Sequence, residues 1–479
     1  MKTFDRIVAL AQNQLAAYPN APFSPGERYP EYPFDDISNS PNVVYRLVRQ
    51  CLARLGLDVD RFGTPHWNPL GTLIKPGNRV VIKPNWVMHQ NLGPGTLQSV
   101  VTHPSVVRAI LDYVYIALGR EGEIVIGDAP LQGCGFEKLL DTFDWPAIPQ
   151  FYDRHSKLSV KLEDWRLETL VRDSPLTYHK TIRNADDSHI LVDIKKDSSL
   201  EPVSHDFENF RVTNYDKRIL HRHHQPGIHQ YFPSRRILEA DVIINVPKLK
   251  THRKAGISCC MKNLVGINGH KSYLPHHRRG SADLGHDEYP SRSYLKEFAS
   301  FLADWHSVTK NPVLQGGARL LYEIPRRLCQ LTGNGILEGS WYGNDTLWRT
   351  IIDLNRIAMF ADVEGHMSPL LKRNIFCLVD AIVAGEDDGP LKCMDRNIGV
   401  IIAGPSPVAV DCLATRLMGI TYRRLPHISN SFGIEKLPLF SSKFDDIAVV
   451  EQGIQRLTNW TSPIRPFSLP WSWQKVSES

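Results

Sequence analysis

The chain has 479 residues, 42% apolar and 22% charged, with a formal net charge of +5. That length can bury a large interior in an ordinary soluble balance, and so small a net charge does not argue for a nucleic-acid or membrane binder. Eight cysteines without a CxxC pair exclude a ferredoxin-type ladder or a zinc ribbon, and fit reduced cytosolic thiols better than a disulfide framework.

In the first twenty residues Gln12 and Gln14 interrupt what would be a signal peptide's apolar core. No run approaches the roughly 18 apolar residues of a membrane helix, so a cytoplasmic protein is expected. Residues 1–40 read as a short helix followed by a Pro- and aromatic-rich surface wrap. Apolar spacing predicts a helix over 42–55. Then come a strand, "RVVIKP" (79–84), a helix over 105–118 opened by Pro104, and a strand, "EIVIGDAP" (123–130). This βαβ unit implies a parallel sheet with a right-handed crossover.

Alternation in "LSVKLEDW" and "HILVDIKK" predicts a β-rich, hairpin-like insertion over about 151–235. "ADVIINVP" (240–247) is a continuous apolar strand of the kind buried on both faces of a parallel sheet. Residues 270–342 read as a second insertion with some helix. A helix over 345–361, strands over 375–385 and 399–404 and a Ser-Pro-capped helix over 406–420 complete the series. The tail carries Trp460, Trp471 and Trp473 and is expected to pack back onto the body. The expected architecture is α/β: an open, mostly parallel sheet with helices on both faces, plus a β-rich and a helical insertion. Residues 1–78 form an N-terminal wrap and first helix, 79–430 a single domain, and 431–479 the tail.

Ligands of open α/β sheets bind beyond the carboxyl ends of the strands. Four such ends bear polar groups: Lys83 with Asn85; Asp128; Lys248 with Lys250 and His252; and Asp380 with Glu386, Asp387 and Asp388. From Lys248 to Arg279 there are five Lys, three Arg and four His with no acid, and ten of the 19 histidines fall between His205 and His286. Closely set lysines bind phosphate or carboxylate and lower one another's pKa. Histidines beside them can move protons near pH 7 or ligate a metal.

Plainer readings stand beside these. Lys248, Lys250, Arg253 and Lys254 could form a solvated basic loop. Lys262 and Asn263, inside a small-residue apolar segment, are unfavourable unless paired or met by a ligand, though a lysine can snorkel. Cys259 and Cys260 read as small core residues. Asp345, Arg349, Asp353 and Arg356 read as an intrahelical salt-bridge ladder. His276 and His277, with Asp388, are candidate metal ligands, but adjacent histidines point apart and need a second segment. The basic stretch has one aromatic, Tyr273, which disfavours nucleic acid.

"VVIKPNW", "THPSVVRAILDYV", "VIGDAP", "ADVIINVPKLKTH…CCMKNLVG", "VDAIVAGEDDGP" and "IIAGPSPVAVDCLATRLMG" resemble, in order and over about residues 79–420, the bacterial and archaeal family catalogued as domain of unknown function 362. "GNDTLWRTIIDLNRI" and "PHHRRGSADLGHDEYP" resemble its longer subgroup, often associated with surface-polysaccharide gene sets. The resemblance places family motifs on Lys83, Asn85, His103, Asp128, Lys248, Lys250, His252, Lys262 and Asn263. Some relatives append a ferredoxin-like cysteine module that this sequence lacks, so an iron–sulfur cluster is not expected. The layout is also loosely similar to the nickel-pincer lactate racemase group, which holds an anionic cofactor on Lys/His-bearing segments.

The resulting expectation is a cytoplasmic enzyme with a pocket for a small anionic metabolite or cofactor. Lys83, Lys248, Lys250 and Lys262 bind the phosphate or carboxylate, beside Asn85, His103, Asp128 and Asn263. His252 and Lys250, with His276 or His277, supply acid and base in isomerase, lyase or transferase chemistry. The cofactor is unidentified, a divalent metal being one option. The alternatives are a non-catalytic binding or assembly protein for an acidic glycan or nucleotide sugar, and a redox metalloprotein. Oligomeric state is left open.

Overall fold

The structure is a computed structural model and describes all residues except 1–3, 120, 173–177, 186, 214, 310–311, 332–334 and 477–479. The main sheet is built from β1 (Ile7–Gln12), β2 (Val80–Pro84), β3 (Glu123–Asp128), β4 (Ser159–Asp164), β5 (Val242–Val246), β6 (Lys248–His252), β7 (Gly256–Ser258), β8 (Asn374–Asp388), β9 (Lys392–Gly404), β10 (Ala448–Val450) and β11 (Ile454–Arg456). Its order is β11-β10-β1-β9-β8-β5-β2-β3-β4, with β6 on the far half of β8 and β7 on β6. From β8 to β4 the neighbours are parallel, whereas β9 and β11 run antiparallel to their neighbours. This is the expected α/β class.

The continuous apolar runs form the centre because a strand covered on both faces needs apolar side chains of both parities. Ile244 and Ile82 join the core of α1 (Val43–Arg54) and α2 (Pro104–Ala117). Ile243 and Val81 point the other way. They join a second core that includes α6 (Leu347–Phe360) and α7 (Pro407–Leu417). Between these lie α3 (Cys260–Asn263) and the helices of the second insertion, α4 (Tyr294–Val308) and α5 (Pro312–Leu331).

Three local expectations are corrected. The segment read as an N-terminal helix contains β1, whose Val8 to Ala11 are fully buried between β9 and β10. Five consecutive apolar residues, Ile7 to Ala11, suit a central strand better than a helix, which would expose one side. "LSVKLEDW" supplies β4, a parallel edge of the main sheet, not a hairpin arm. The two strands read over 375–385 and 399–404 are longer, joined as one antiparallel hairpin of 15 and 13 residues. Its polar outer half escapes an apolar-pattern reading because it is held by pairs such as Arg396–Glu386 at 2.6 Å. The tail does return: β10 and β11 extend the sheet, and Trp460 and Trp473 are buried while Trp471 is exposed.

Candidate functional site

Two of the predicted lysines are locked to acids. Lys83, at the end of β2, sits 2.7 Å from Asp128 at the end of β3, both buried. The second oxygen of Asp128 accepts from the Trp86 N–H at 2.7 Å, and Lys83 also donates to the Pro84 carbonyl at 2.8 Å. A Cβ on Gly266 would lie 2.1 Å from the Asp128 carboxylate, so glycine is what lets this turn close over the pair. Lys248, the first residue of β6, sits 2.6 Å from Asp380 of β8 and donates to the Tyr18 hydroxyl at 2.6 Å. Tyr18 in turn donates to Asp380 at 2.6 Å and stacks on His103 at 4.0 Å. The His103 backbone N–H also donates to Asp380, at 2.9 Å, and its imidazole caps α2 by accepting from the Ser105 N–H. Burial lowers both lysines' pKa and the acids oppose the shift. The plainer reading of a solvated basic loop does not hold for Lys248 and Lys250, which are buried.

A second set of cations has no acid at hydrogen-bond distance among the described residues. Lys250 donates to the Asn85 side-chain carbonyl at 2.6 Å and to the Val100 carbonyl. Lys271 donates to the Asn268 carbonyl at 3.2 Å, and Lys254 to the Thr213 hydroxyl at 3.2 Å. Lys262 has no hydrogen-bond or ion-pair partner among the described residues, and it keeps some accessible surface. Burial, reinforced by Lys250, Lys254 and Lys83, lowers Lys262 to about 7. Burial likewise takes Lys250 and Lys271 to about 7 and Lys254 to about 8.

The local fold holds Lys262 where it is. It lies on α3, one turn whose Cys260 and Met261 N–H groups donate to Asp411 of α7 at 2.7 and 3.0 Å. The next residue, Asn263, donates to the Lys83 carbonyl at 3.1 Å and to Asn245 of β5 at 2.8 Å. Asn355 of α6 donates to the Met261 carbonyl at 2.9 Å. A turn tied to two helices and the sheet fixes the backbone from which Lys262 projects, because moving it would break several buried hydrogen bonds.

Histidines surround this lysine in defined tautomers. His252 Nδ1 accepts from the Lys254 and Ala255 N–H groups at 3.1 and 3.3 Å, which puts the neutral ring's proton on Nε2. His276 Nδ1 lies 2.7 Å from the Leu274 carbonyl and must donate, leaving Nε2 with its lone pair. Burial, then the neighbouring lysines, holds both pKa values well below the usual histidine range. His277 is buried, with the same direction of shift, and its Nδ1 finds no partner among the described residues. His427 is fully buried with both ring nitrogens unpartnered among the described residues, and burial followed by Lys262 lowers it to about 3.

His276, His277 and Asp388 are not gathered into one ligand set. Asp388 lies at the end of β8, 3.8 Å from Arg253. Cys259, Cys260 and Asp411 do converge. However, burial pushes Cys259 up to about 12, and both Asp411 oxygens are taken by backbone N–H groups, a poor donor set for a metal. The other converging group, Asp362, Glu364 and His366, lies in a surface turn. All eight cysteines are free and buried. In the stripe along α6, Arg349–Asp345 and Arg356–Asp353 pairs form, but Asp353 is also a buried acceptor for Tyr231 at 2.9 Å. Two surface hollows, of about 280 and 400 Å³, are lined by none of the cluster's cations.

The site lysines called from the sequence therefore divide into paired and unpaired groups. Among the residues missed, Lys271 lay within the acid-free run, Tyr18 and Asn245 act through contacts distant in sequence, and His427 had no sequence signal.

No curated protein matches the chain. A crystal structure of a Thermotoga maritima protein, a structural-genomics target, is similar at 11% identity over 74% of this chain, with a TM-score of 0.29. The matched region is 54% of that protein, so this chain spans about half its length. A family model, that of a domain of unknown function, matches residues 168–416, beginning after β4 and running through α3 to α7, so that Lys83, Asn85, His103 and Asp128 lie outside the matched region. More than half of the sequence lies within that match, and the chain belongs to the DUF362 family.

Proposed function

We propose that the protein is a cytoplasmic enzyme that binds a phosphate- or carboxylate-bearing metabolite in its Lys/His cluster and moves protons on it. The observation that carries this reading is Lys262, lowered to about 7, whose ammonium meets no partner among the described residues, beside a buried His427 whose two ring nitrogens find none there either. Buried cations without counter-charge are unfavourable, and an anionic ligand supplies what the chain lacks. The surface left open on Lys254 and Lys262 is its route in.

In this reading Lys262 anchors the anion, with Lys250, Lys254 and Lys271 completing its surroundings. The ligand favours the ammonium forms, so binding takes up protons near neutral pH. His276 presents a lone pair on Nε2 and serves as the base. His252 presents an Nε2–H and serves as the acid. Two neutral imidazoles of opposite tautomer fit proton transfer of the isomerase, lyase or transferase type.

A thermal-shift series with inorganic phosphate, pyrophosphate and citrate tests binding. The expected result is a rise in melting temperature for the wild type and none for Lys262→Met. No shift with any anion, or an equal shift in the variant, contradicts the reading. Catalysis is tested with the metabolite that gives the largest shift: His276→Gln should keep binding and lose turnover at least about 100-fold.

A further inference from the structure

Lys262 differs from the cations around it in chemistry as well as in charge. Lys83 donates to the Pro84 carbonyl at 2.8 Å and Lys250 to the Asn85 amide oxygen at 2.6 Å. Lys254 and Lys271 donate to the Thr213 hydroxyl and the Asn268 carbonyl, both at 3.2 Å. These bonds tether each nitrogen to the framework. The Lys262 nitrogen has no such bond among the described residues, although its backbone is held on both sides by Asp411, Asn245 and Asn355.

Its surroundings favour the free amine. Burial, and then Lys250, Lys254 and Lys83, disfavours the charged form and brings Lys262 to about 7. A desolvated amine set among other cations is the arrangement that makes a lysine a nucleophile towards a carbonyl carbon. His276 is an electrostatic neighbour of Lys262 and keeps a lone pair on Nε2, because its Nδ1 donates to the Leu274 carbonyl at 2.7 Å. Lys262 and His276 both retain accessible surface, so a small molecule can reach them.

We propose that Lys262 forms an imine with a small 2-oxo carboxylate. This rests on the reading of the cluster as an anion site and adds which atom of the ligand reacts. Lys250 and Lys254 are immediate electrostatic neighbours of Lys262, so a carbonyl that meets the amine must lie close to the anionic group they hold. A 2-oxo carboxylate has that spacing. The Lys262 nitrogen bonds to the carbonyl carbon, and C=N replaces C=O. Two of the three ammonium hydrogens leave on the carbonyl oxygen as water, with His276 Nε2 as the relay. The step needs no oxidant or reductant, and the iminium keeps the positive charge that answers the carboxylate. It also draws electrons from the adjoining carbon, which eases loss of a proton there.

The test is reductive trapping: the full chain is incubated with glyoxylate or pyruvate and cyanoborohydride, and the modified lysines are located by peptide mass spectrometry. The expected result is modification of Lys262 at least about ten-fold faster than of any other lysine, slowed by pyrophosphate. Its rate should climb through about pH 7, whereas exposed lysines gain only towards their ordinary 10.5. Lys262→Arg keeps the charge and lacks the reactive amine. It should lose the modification and keep the rise in melting temperature with pyrophosphate, which separates lost chemistry from a lost fold. No modification, or modification without preference for Lys262, in a protein that pyrophosphate still stabilises overturns the imine and leaves the anion site standing. If pyrophosphate does not stabilise the protein either, both fall.

Discussion

Lys248 and Lys262 stand fourteen positions apart in one acid-free stretch, yet the fold treats them oppositely. Lys248 meets Asp380 at 2.6 Å and shares a hydrogen-bonded triangle with Tyr18. Lys262 is held just as firmly, through Asp411, Asn245 and Asn355, but its ammonium meets nothing among the described residues. A buried lysine with its own carboxylate is framework, because the charge is answered inside the chain. A lysine whose backbone is fixed and whose charge is unanswered is a place for an anion from outside.

The largest effect should come from breaking a framework pair. Asp380→Asn leaves Lys248 buried without counter-charge and should lower unfolding free energy by about 3–5 kcal/mol in urea titration. Gly266→Ala should follow, at about 1–3 kcal/mol, because the new methyl group drives into the Lys83–Asp128 pair. Lys262→Met goes the other way: without ligand it should gain about 1–2 kcal/mol, since it removes an unanswered charge and keeps the volume. A loss of that size would put Lys262 with the framework.

The pH dependence sharpens the same contrast. Between about pH 7 and the ordinary lysine value of 10.5, a lysine lowered in the folded chain binds fewer protons folded than unfolded. Stability of the ligand-free protein should therefore rise with pH across this window, and Lys262→Met should flatten the rise. Protection by pyrophosphate should run the opposite way, strongest below pH 7 and fading towards pH 9. The smallest effect belongs to His427→Leu: within about 1 kcal/mol in stability, because no hydrogen bond among the described residues is lost, but with weakened anion protection.

What the sequence made legible follows from the same physics. Strands β2 and β5 could be read directly, since both faces demand apolar residues in an unbroken run. β1 was obscured because five apolar residues after a polar start fit a helix and a central strand alike. The outer half of the β8–β9 hairpin was hidden because ion pairs, not apolar side chains, hold it. At the site, the acid-free run drew attention to Lys248, Lys250 and Lys262 together. It could not separate them, because Asp380 and Tyr18 reach Lys248 from distant parts of the chain. His427, a solitary histidine after Pro426, gained its meaning only when the fold set it beside Lys262.

The most direct test of the distinction is a nuclear magnetic resonance titration of lysine side chains labelled at Cε, with Lys262 assigned by its loss in Lys262→Met. Lys262 should titrate at about 7, with the midpoint moving up when pyrophosphate is added. A midpoint at the ordinary 10.5, or one that pyrophosphate leaves in place, would contradict the account.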